Sequence, residues 1–420
     1  MTGRPRIAVL VERIGAYHRA RLSALAERAE VMCVELCAAD ATYAWARQEG
    51  HGGDFARTTL FATEAEAADI ALLRERMEAA LAGFGPDTVA VPGWGYPFSL
   101  VALALASRAR TRGGAPVGRV LMSDSQAIDA PRRLLAEMVK HAVISFADAG
   151  LAAGRTHADY LAALGLPRRR IALGLDVVDN AHFAAGAAAA RAGPGADAPA
   201  FLAVARFVRK KNLTALVTAH GVYARAARAE GRTPWRLVIV GDGPESGAIT
   251  AAASQTGEAV EIRPFAAYDA LPGLYAAAGA LVLPSTAEQW GLVVNEAMAA
   301  GCPVIASDRA GAAAELIIDG VNGHVTAPDV GSLAAALARM EGADRAMLCA
   351  NARASIAAWG PHRFADGILA AAEMAMARRR TPVPPALLDR LAVRIAGAEP
   401  PQVPPRATTP PTAGTTLAPR

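Results

Sequence analysis

The chain has 420 residues, of which 53% are hydrophobic and 20% charged, so it is long enough for two globular domains with full cores. Its formal charge of +4 is too small to indicate a nucleic-acid partner. No apolar run reaches the roughly 18 residues of a membrane-spanning helix, and the first one is too short for a secretory signal. The four scattered cysteines are typical of free buried thiols in a reducing compartment. We therefore expect a cytoplasmic protein, at most peripheral to the inner face of a membrane.

Strand-like apolar runs alternate with Ala/Leu-rich helical stretches in the first half of the chain. This interleaving predicts a parallel sheet that is covered by helices on both faces. The predicted strands are 6–11, 30–36, 87–91, 118–122 and 141–146. The predicted helices are 16–28, 64–82, 98–110 and 148–164.

The same alternation resumes after a low-complexity stretch at 184–199. We interpret this stretch as the interdomain linker, because it holds Gly, Pro and Ala but no bulky apolar residue. The strands predicted beyond it are 200–205, 235–240, 259–263, 279–283 and 303–306. The expected fold is α/β, with two Rossmann-like, doubly wound parallel-sheet domains facing across a cleft and ligands at the carboxyl ends of the strands. A Pro/Thr-rich tail at 380–420, with one short candidate helix at 386–396, is expected to be disordered.

The stretch 281–308, LVLPSTAEQWGLVVNEAMAAGCPVIASD, indicates a strand, a polar turn, a Gly-led helix and a second strand. Glu288 falls in the turn, and Glu296 falls about a turn and a half into the helix. Backbone N–H groups at such a helix start can bind phosphates, while the two carboxylates bind hydroxyls, which together would suit a sugar nucleotide. The N–H groups in question belong to Gly291, Leu292 and Val293. The alternative is that both glutamates are ordinary solvated residues of a helix start.

The pattern PS-x-x-E-x-x-G-L-x-x-x-E-A-M-A-x-G-x-P-V-I-A in this stretch resembles the signature of the retaining GT-B-fold glycosyltransferases of the large group 1 family (glycosyltransferase family four). The resemblance implies that Glu288 lies at the donor sugar ring and that Glu296 holds the ribose hydroxyls. It also implies an organisation into domains. We expect an acceptor-side domain at 1–183, a donor domain at 200–357 and a helix at 358–379 that crosses back to the first domain.

Two cations follow the first strand of the second domain. Arg206 and Lys211 match the family's G-R-x-x-x-x-K-N run, in which an arginine and a lysine hold the donor diphosphate. The family's glycine before the arginine is Ala205 in this chain. A solvated basic patch on a loop is the alternative interpretation.

A second glycine motif, VIVGDGP, places Gly241 and Gly243 at a strand-to-helix turn. It resembles the family's V-G-x-G-P element, which implies close approach of the backbone to the nucleotide, although a plain turn would also explain it. The family usually reads the base by backbone contacts near Phe265. Arg263 and Pro264 stand there where glycine is common, so the identity of the base stays open.

In the first domain, the loop after the first strand contains Gly15 and His18. In GT-B enzymes this loop faces the donor phosphates and the acceptor, so we select His18 as a contact for acceptor or sugar. A histidine on a helix surface is the alternative. Many relatives carry a histidine near the transferred sugar where this chain has Ser123 and Asp124.

The resemblance implies a retaining, hexosyltransferase-type enzyme that moves a sugar from a nucleotide-diphosphate sugar to a glycan, lipid-linked or small-molecule acceptor. No D-x-D triplet occurs in the chain, so we expect protein cations rather than a metal to neutralise the leaving diphosphate, and no cofactor. The alternatives are a non-catalytic nucleotide-sugar-binding or partner protein of the same fold, and a sugar-nucleotide epimerase. The catalytic candidates are Glu288, Arg206, Lys211 and His18.

Overall fold

The computed structural model of the protein describes residues 3–38, 54–63, 66–193, 199–378 and 386–396. These residues form two open parallel sheets with helices on both faces, one sheet in each half of the chain. The predicted fold class is therefore confirmed. Within the described ranges, every helix is too short or too polar to cross a bilayer.

The first sheet has seven strands: β1 Arg6–Val11, β2 Glu30–Cys37, β3 Ala56–Phe61, β4 Thr88–Pro92, β5 Gly118–Ser123, β6 Ala149–Ala152 and β7 Ile171–Leu173. They run parallel in the order β3-β2-β1-β4-β5-β6-β7. The first half of the chain also supplies five helices: α1 Ala16–Ala26, α2 Ile70–Phe84, α3 Pro97–Arg108, α4 Leu134–Ile144 and α5 Arg155–Ala163. Because β1, β4 and β5 are neighbours, the loops that follow them open at one edge of the sheet.

The second sheet has six parallel strands in the order β10-β9-β8-β11-β12-β13. These are β8 Ala200–Val204, β9 Arg236–Val240, β10 Val260–Arg263, β11 Ala280–Leu283, β12 Val304–Ser307 and β13 Gly323–Thr326. The remaining helices are α6 Asn180–Arg191, α7 Leu213–Ala229, α8 Ser246–Thr256, α9 Leu271–Ala277, α10 Leu292–Ala299, α11 Gly311–Leu316, α12 Val330–Glu341, α13 Arg345–Ile356, α14 Pro361–Met376 and α15 Ala386–Ala396.

Two C-terminal helices pack on the first domain. α14 lies against α1 and against β5, β6 and β7. Gly367 permits this approach, because a Cβ at that position would lie 2.4 Å from the carbonyl oxygen of Leu173. α15 packs on α3 and buries Leu388 and Ala392. The candidate helix predicted at 386–396 is therefore confirmed, and the rest of the predicted disordered tail, 380–385 and 397–420, lies outside the described residues.

The strand predicted at 141–146 is wrong, because α4 continues to Ile144 and the strand of that region is β6. Val143, Ile144 and Phe146 are all buried, and a short buried apolar run has the same composition in a helix as in a strand. The first residues of the helix predicted at 148–164 are likewise β6, and α5 follows it.

The first half of the predicted linker at 184–199 is also wrong, because α6 continues to Arg191. Asp179 caps this helix by accepting a hydrogen bond from the backbone of His182, and the alanines that follow are strong helix formers. α6 packs against α9 and α10, so the chain joins the second domain before residue 184. Residues 194–198 lie outside the described part of the chain, and the other predicted domain bounds stay predictions.

Candidate active site

Lys211 and Glu288 meet at the carboxyl edge of the second sheet, because β8 and β11, which precede them, are neighbouring strands. Lys211 Nζ donates a short hydrogen bond to Glu288 Oε2. Ser285 Oγ donates to the same oxygen at 3.0 Å. Only 14% and 11% of the lysine and glutamate side chains are exposed. The structure thus joins two of the catalytic candidates in one partly buried ion pair.

The loop that carries Lys211 is clamped to the turn that carries Glu288. Asn212 adopts a left-handed backbone with φ of 58°, and its side-chain amide donates to the carbonyl oxygens of Pro284 at 3.1 Å and Pro328 at 2.7 Å. The backbone N–H of Thr286 donates to the carbonyl of Lys210 at 2.9 Å. These bonds fix the position of Lys211 relative to Glu288.

Gly241 and Gly243 lie beneath the start of the same loop. Their φ angles are 151° and 152°, which side chains rarely allow. A Cβ on Gly241 would lie 1.9 Å from the carbonyl oxygen of Ala205, and one on Gly243 would lie 2.6 Å from that of Phe207. The close approach that requires glycine is therefore between two protein loops. Contact of these glycines with a nucleotide stays a prediction.

Two buried side chains of the first domain hold the turn that contains Glu288. Gln126 Nε2 donates to the carbonyl oxygen of Glu288 at 2.9 Å, and His157 Nε2 is 2.7 Å from that of Gln289. Because a carbonyl only accepts, His157 Nε2 carries the proton. Burial lowers the pKa of His157, so its ring is neutral at neutral pH. The turn is consequently fixed from both domains.

Glu296 does not offer a free carboxylate in this structure, in contrast to the expectation that it faces ribose hydroxyls. Tyr17 Oη donates to Oε1 at 2.6 Å, and Tyr275 Oη donates to Oε2 at 2.6 Å. Only 1% of the residue is exposed, and burial raises the pKa of its carboxyl group. Both oxygens are therefore occupied and shielded from solvent.

His18 and Gly15 lie at the start of α1, where the backbone N–H of Gly15 donates to His18 Nδ1 at 3.2 Å. Burial and the nearby Arg21 lower the pKa of His18 to about 3. The imidazole is therefore neutral at physiological pH, and its Nδ1 is already used as an acceptor. The predicted contact of His18 with the acceptor substrate or the sugar would therefore use Nε2.

A cavity of about 600 Å³ opens between the loops after β1, β4 and β5 and the second domain. Burial and the neighbouring Asp176 raise the pKa of Asp124, at its wall, to about 6. Gln289 Nε2 reaches Asp124 Oδ1 at 3.5 Å. Arg21 pairs with Asp176 at 3.3 Å, so its positive charge is compensated. The lining of the cavity also includes His18, Trp94, Tyr96, Ser123, Ser125 and Leu292.

The other predicted site residues lie on the second domain. Gly291 begins α10 with φ of 101°, and a Cβ there would lie 2.7 Å from Leu283. Leu292 and Val293 follow it in the first turn, and Leu292 also lines the cavity. Arg206 and Phe265 are exposed on the second domain. Across the described ranges, no three His, Cys, Asp or Glu side chains are grouped to hold a metal ion.

Tyr17, Gln126, His157 and Tyr275 were missed as site residues by sequence reasoning. Tyr17 lies next to the selected His18 at the start of α1, which follows β1, and Gln126 lies two residues after Asp124 in the loop that follows β5. Position after a parallel strand was therefore a usable signal for those two. His157 and Tyr275 lie inside helices α5 and α9, where a single polar or aromatic residue carries no such signal.

Residues 198–341 match the family model described as glycosyl transferases group 1. The second domain therefore contains the part of the chain that is similar to this family. The resemblance carried by the motif that contains Glu288 and Glu296 is confirmed, and the Lys211–Glu288 pair lies inside the matched region.

Two curated relatives overlap parts of the chain. An exopolysaccharide phosphotransferase from Streptomyces coelicolor is 34% identical over 31% of this chain, and D-inositol 3-phosphate glycosyltransferase from Acidothermus cellulolyticus is 35% identical over 39% of it. The chain spans only 14% and 38% of the lengths of these two proteins. Both matches are therefore partial.

Solved structures share the fold over most of the chain. Sucrose-phosphate synthase from Thermosynechococcus elongatus superposes with a TM-score of 0.66 and 22% identity, covering 87% of this chain and 97% of its own. Anabaena HepE in complex with UDP and glucose gives a TM-score of 0.63 and 20% identity, with 87% and 98% coverage. At these identities the likeness establishes the GT-B fold alone, and the stretch similar to the group 1 family lies in its second half.

Proposed function

We propose that the protein transfers a sugar from a nucleotide-diphosphate sugar to a hydroxyl-bearing acceptor, with retention of anomeric configuration. The observation that carries this proposal is the Lys211–Glu288 pair, at the carboxyl edge of the sheet in the stretch similar to the group 1 family, beside the N-terminus of α10. A cation and a carboxylate beside the first N–H groups of a helix fit a diphosphate that is bonded to a sugar.

The transfer requires stabilisation of a growing negative charge. The bond between the anomeric carbon and the diphosphate oxygen breaks, and its electron pair leaves with the diphosphate. The acceptor oxygen bonds to the anomeric carbon from the same face, and its proton passes to the departing phosphate oxygen. Lys211, Arg206 and the first N–H groups of α10 are the groups that would stabilise the diphosphate, without a metal ion or cofactor.

UDP is the first donor nucleotide to test. Anabaena HepE, which shares the fold, has been solved in complex with UDP, and this supports UDP as the first probe. It does not indicate which sugar this protein transfers. The cavity beside Asp124 and His18 is the space available for the transferred sugar and the acceptor. Its aromatic residues Trp94 and Tyr96 offer apolar faces to a sugar ring. A glycan or a lipid-linked glycan remains the proposed acceptor class.

A peripheral membrane contact would fit a lipid-linked acceptor, and α4 is the surface that best supports it. Leu134, Leu135 and Met138 are 78%, 77% and 59% exposed. Arg132 and Lys140 form ion pairs with Glu137, the single acidic residue of the helix, and Arg133 adds a third positive charge. The net charge of this surface is therefore positive, which fits an anionic lipid surface. Arg132 also donates to the carbonyl of Gln126 at 2.9 Å, which places α4 close to the Glu288 turn.

Nucleotide binding and product analysis test the proposal. A panel of UDP, GDP, ADP and their sugars, measured by thermal shift with EDTA present, should give stabilisation by one nucleotide. A ligand at about 100 times its dissociation constant stabilises the folded state by roughly 2.7 kcal/mol. The same shift should be lost in Glu296→Ala. NMR of the product should show the anomeric configuration of the donor. Nucleotide binding without any transfer or hydrolysis would favour a non-catalytic binding protein.

A further inference from the structure

Tyr17 connects the two domains through the carboxylate of Glu296. Tyr17 lies at the start of α1 in the first domain, 279 residues from Glu296 in the chain, and their oxygens are 2.6 Å apart. This is the length of a strong hydrogen bond from a hydroxyl to a carboxylate. Tyr275, which bonds the other oxygen, lies on α9 of the same domain as Glu296. Separation of the domains would break the first bond and leave the second intact.

The ring of Tyr17 sits in an aromatic slot of the second domain. It meets the ring of Tyr268 edge-on at 5.4 Å, and Tyr268 stacks on His182 at 4.4 Å with 12° between the planes. Tyr268 precedes α9, and His182 lies on α6, which packs on that domain. The side chain of Tyr17 therefore lies among residues that pack on the second domain, and its hydroxyl contacts the carboxylate of Glu296.

We propose that Tyr17 controls access of the donor to Glu296, because its hydroxyl occupies the position that a ribose hydroxyl takes in the donor complex. This inference rests on the proposed function, which assigns ribose binding to Glu296. In the arrangement described, ribose cannot reach a carboxylate that is 1% exposed. Donor binding therefore requires Tyr17 to withdraw from the slot, and part of the binding free energy is used to break the interdomain bond.

The test is Tyr17→Phe, which keeps the ring in its slot and removes only the hydroxyl. Isothermal titration with the nucleotide that stabilises the wild type should show binding about 10-fold tighter or more, the scale of a hydrogen bond to a charged group. The unfolding temperature of the nucleotide-free variant should fall. A merely structural role would lower both affinity and stability, so the opposite signs identify competition. Tyr17→Leu, which also removes the ring, should change affinity in the same direction.

Tyr275→Phe is the matched control, because it removes the other hydroxyl on Glu296 without touching the interdomain bond. It should not tighten nucleotide binding. If wild type and Tyr17→Phe bind the nucleotide equally, or the variant binds more weakly, the inference is overturned while the donor site stands. If neither protein binds any nucleotide although both are folded by circular dichroism, the donor-site assignment of the proposed function fails, and this inference fails with it.

Discussion

Lys211 and Glu288 are 77 residues apart in the chain and form an ion pair where β8 and β11 end side by side. Both side chains are largely buried, and Ser285 donates a second hydrogen bond to the same oxygen of the carboxylate. Each charge is therefore the main partner of the other. Replacing either residue leaves the other charge partly buried and without its partner, so that only water or a bound ligand can compensate it.

Lys211→Ala should weaken binding of the nucleotide diphosphate by about 10-fold or more, because it removes a charge-assisted contact to phosphate. Isothermal titration with the nucleotide identified by thermal shift measures this effect. Lys210→Ala is the control, since the contact of Lys210 with Thr286 uses its carbonyl oxygen and survives the substitution. Unchanged affinity in Lys211→Ala would remove Lys211 from the donor site.

Glu288→Gln should lower kcat more than it raises the donor KM. The amide can still accept hydrogen bonds from Lys211 and Ser285, but it no longer holds the lysine by charge at the place where the leaving diphosphate is stabilised. Steady-state kinetics with the identified donor gives both constants. Glu230→Gln, at an exposed position beyond α7, is the control. Wild-type kcat in Glu288→Gln would contradict the assignment.

Gly241→Ala should destabilise the protein by about 3 kcal/mol, because the new Cβ meets a backbone oxygen and the residue keeps an unfavourable φ. Urea denaturation measures the free energy of unfolding. Gly247→Ala is a sharp control, since it lies in α8 with nothing within 4 Å of its Cβ position. That variant should be neutral or more stable by up to about 1 kcal/mol. Equal stability of the two variants would refute the close packing of the two loops.

His18 should make the protein less stable as the pH falls from neutrality. The folded-state pKa of His18 is lowered to about 3, so between that value and its ordinary 6.5 the unfolded chain binds more protons than the folded one. The contribution is complete above about pH 6.5 and is lost progressively below it, by at most about 1 kcal/mol per pH unit for a half-buried side chain.

Comparison with His18→Asn isolates this contribution, because Asn can still accept from the backbone of Gly15. Between about pH 7.5 and about pH 5, the wild type should lose more unfolding free energy in urea than His18→Asn does. The difference cancels the opposing titration of Asp124, whose raised pKa of about 6 makes its contribution disappear as the pH rises. Parallel pH profiles of the two proteins would show that His18 does not titrate in this range.

Replacing Leu134 and Leu135 together by Ser should abolish most binding to vesicles that contain phosphatidylglycerol. The two leucines are the most exposed large apolar side chains among the described residues, and insertion into lipid would bury them. Co-sedimentation measures the bound fraction, with Val222→Ser on α7 as the control for an exposed apolar residue elsewhere. Wild-type protein that remains in the supernatant would exclude this contact, and loss of self-association in the double variant would indicate a protein interface instead.

The sequence by itself determined the fold class and the part of the donor domain that is local in the chain. Nine strands were predicted close to their places, because parallel strands buried on both faces need continuous apolar runs. The missed strands β3, β6, β7 and β13 are edge or near-edge strands that are short or contain polar residues, such as ARTTLF. The placement of Arg206, Lys211 and Glu288 after the ends of strands followed from the predicted strands, and their predicted roles followed from the resemblance to the family.

Only the tertiary structure decided what these residues touch. Tyr17 bonds to Glu296 and His157 bonds to the carbonyl of Gln289, across 279 and 132 residues of chain. The hydrophobic periodicity of the sequence does not indicate such contacts, because they depend on how the two sheets and the crossing helix α14 pack against each other. The Ala-rich stretch after Asp179 is stabilised as a helix by tertiary packing, because α6 buries Phe183 and Ala187 against the second domain. The composition of this stretch does not reveal that packing surface.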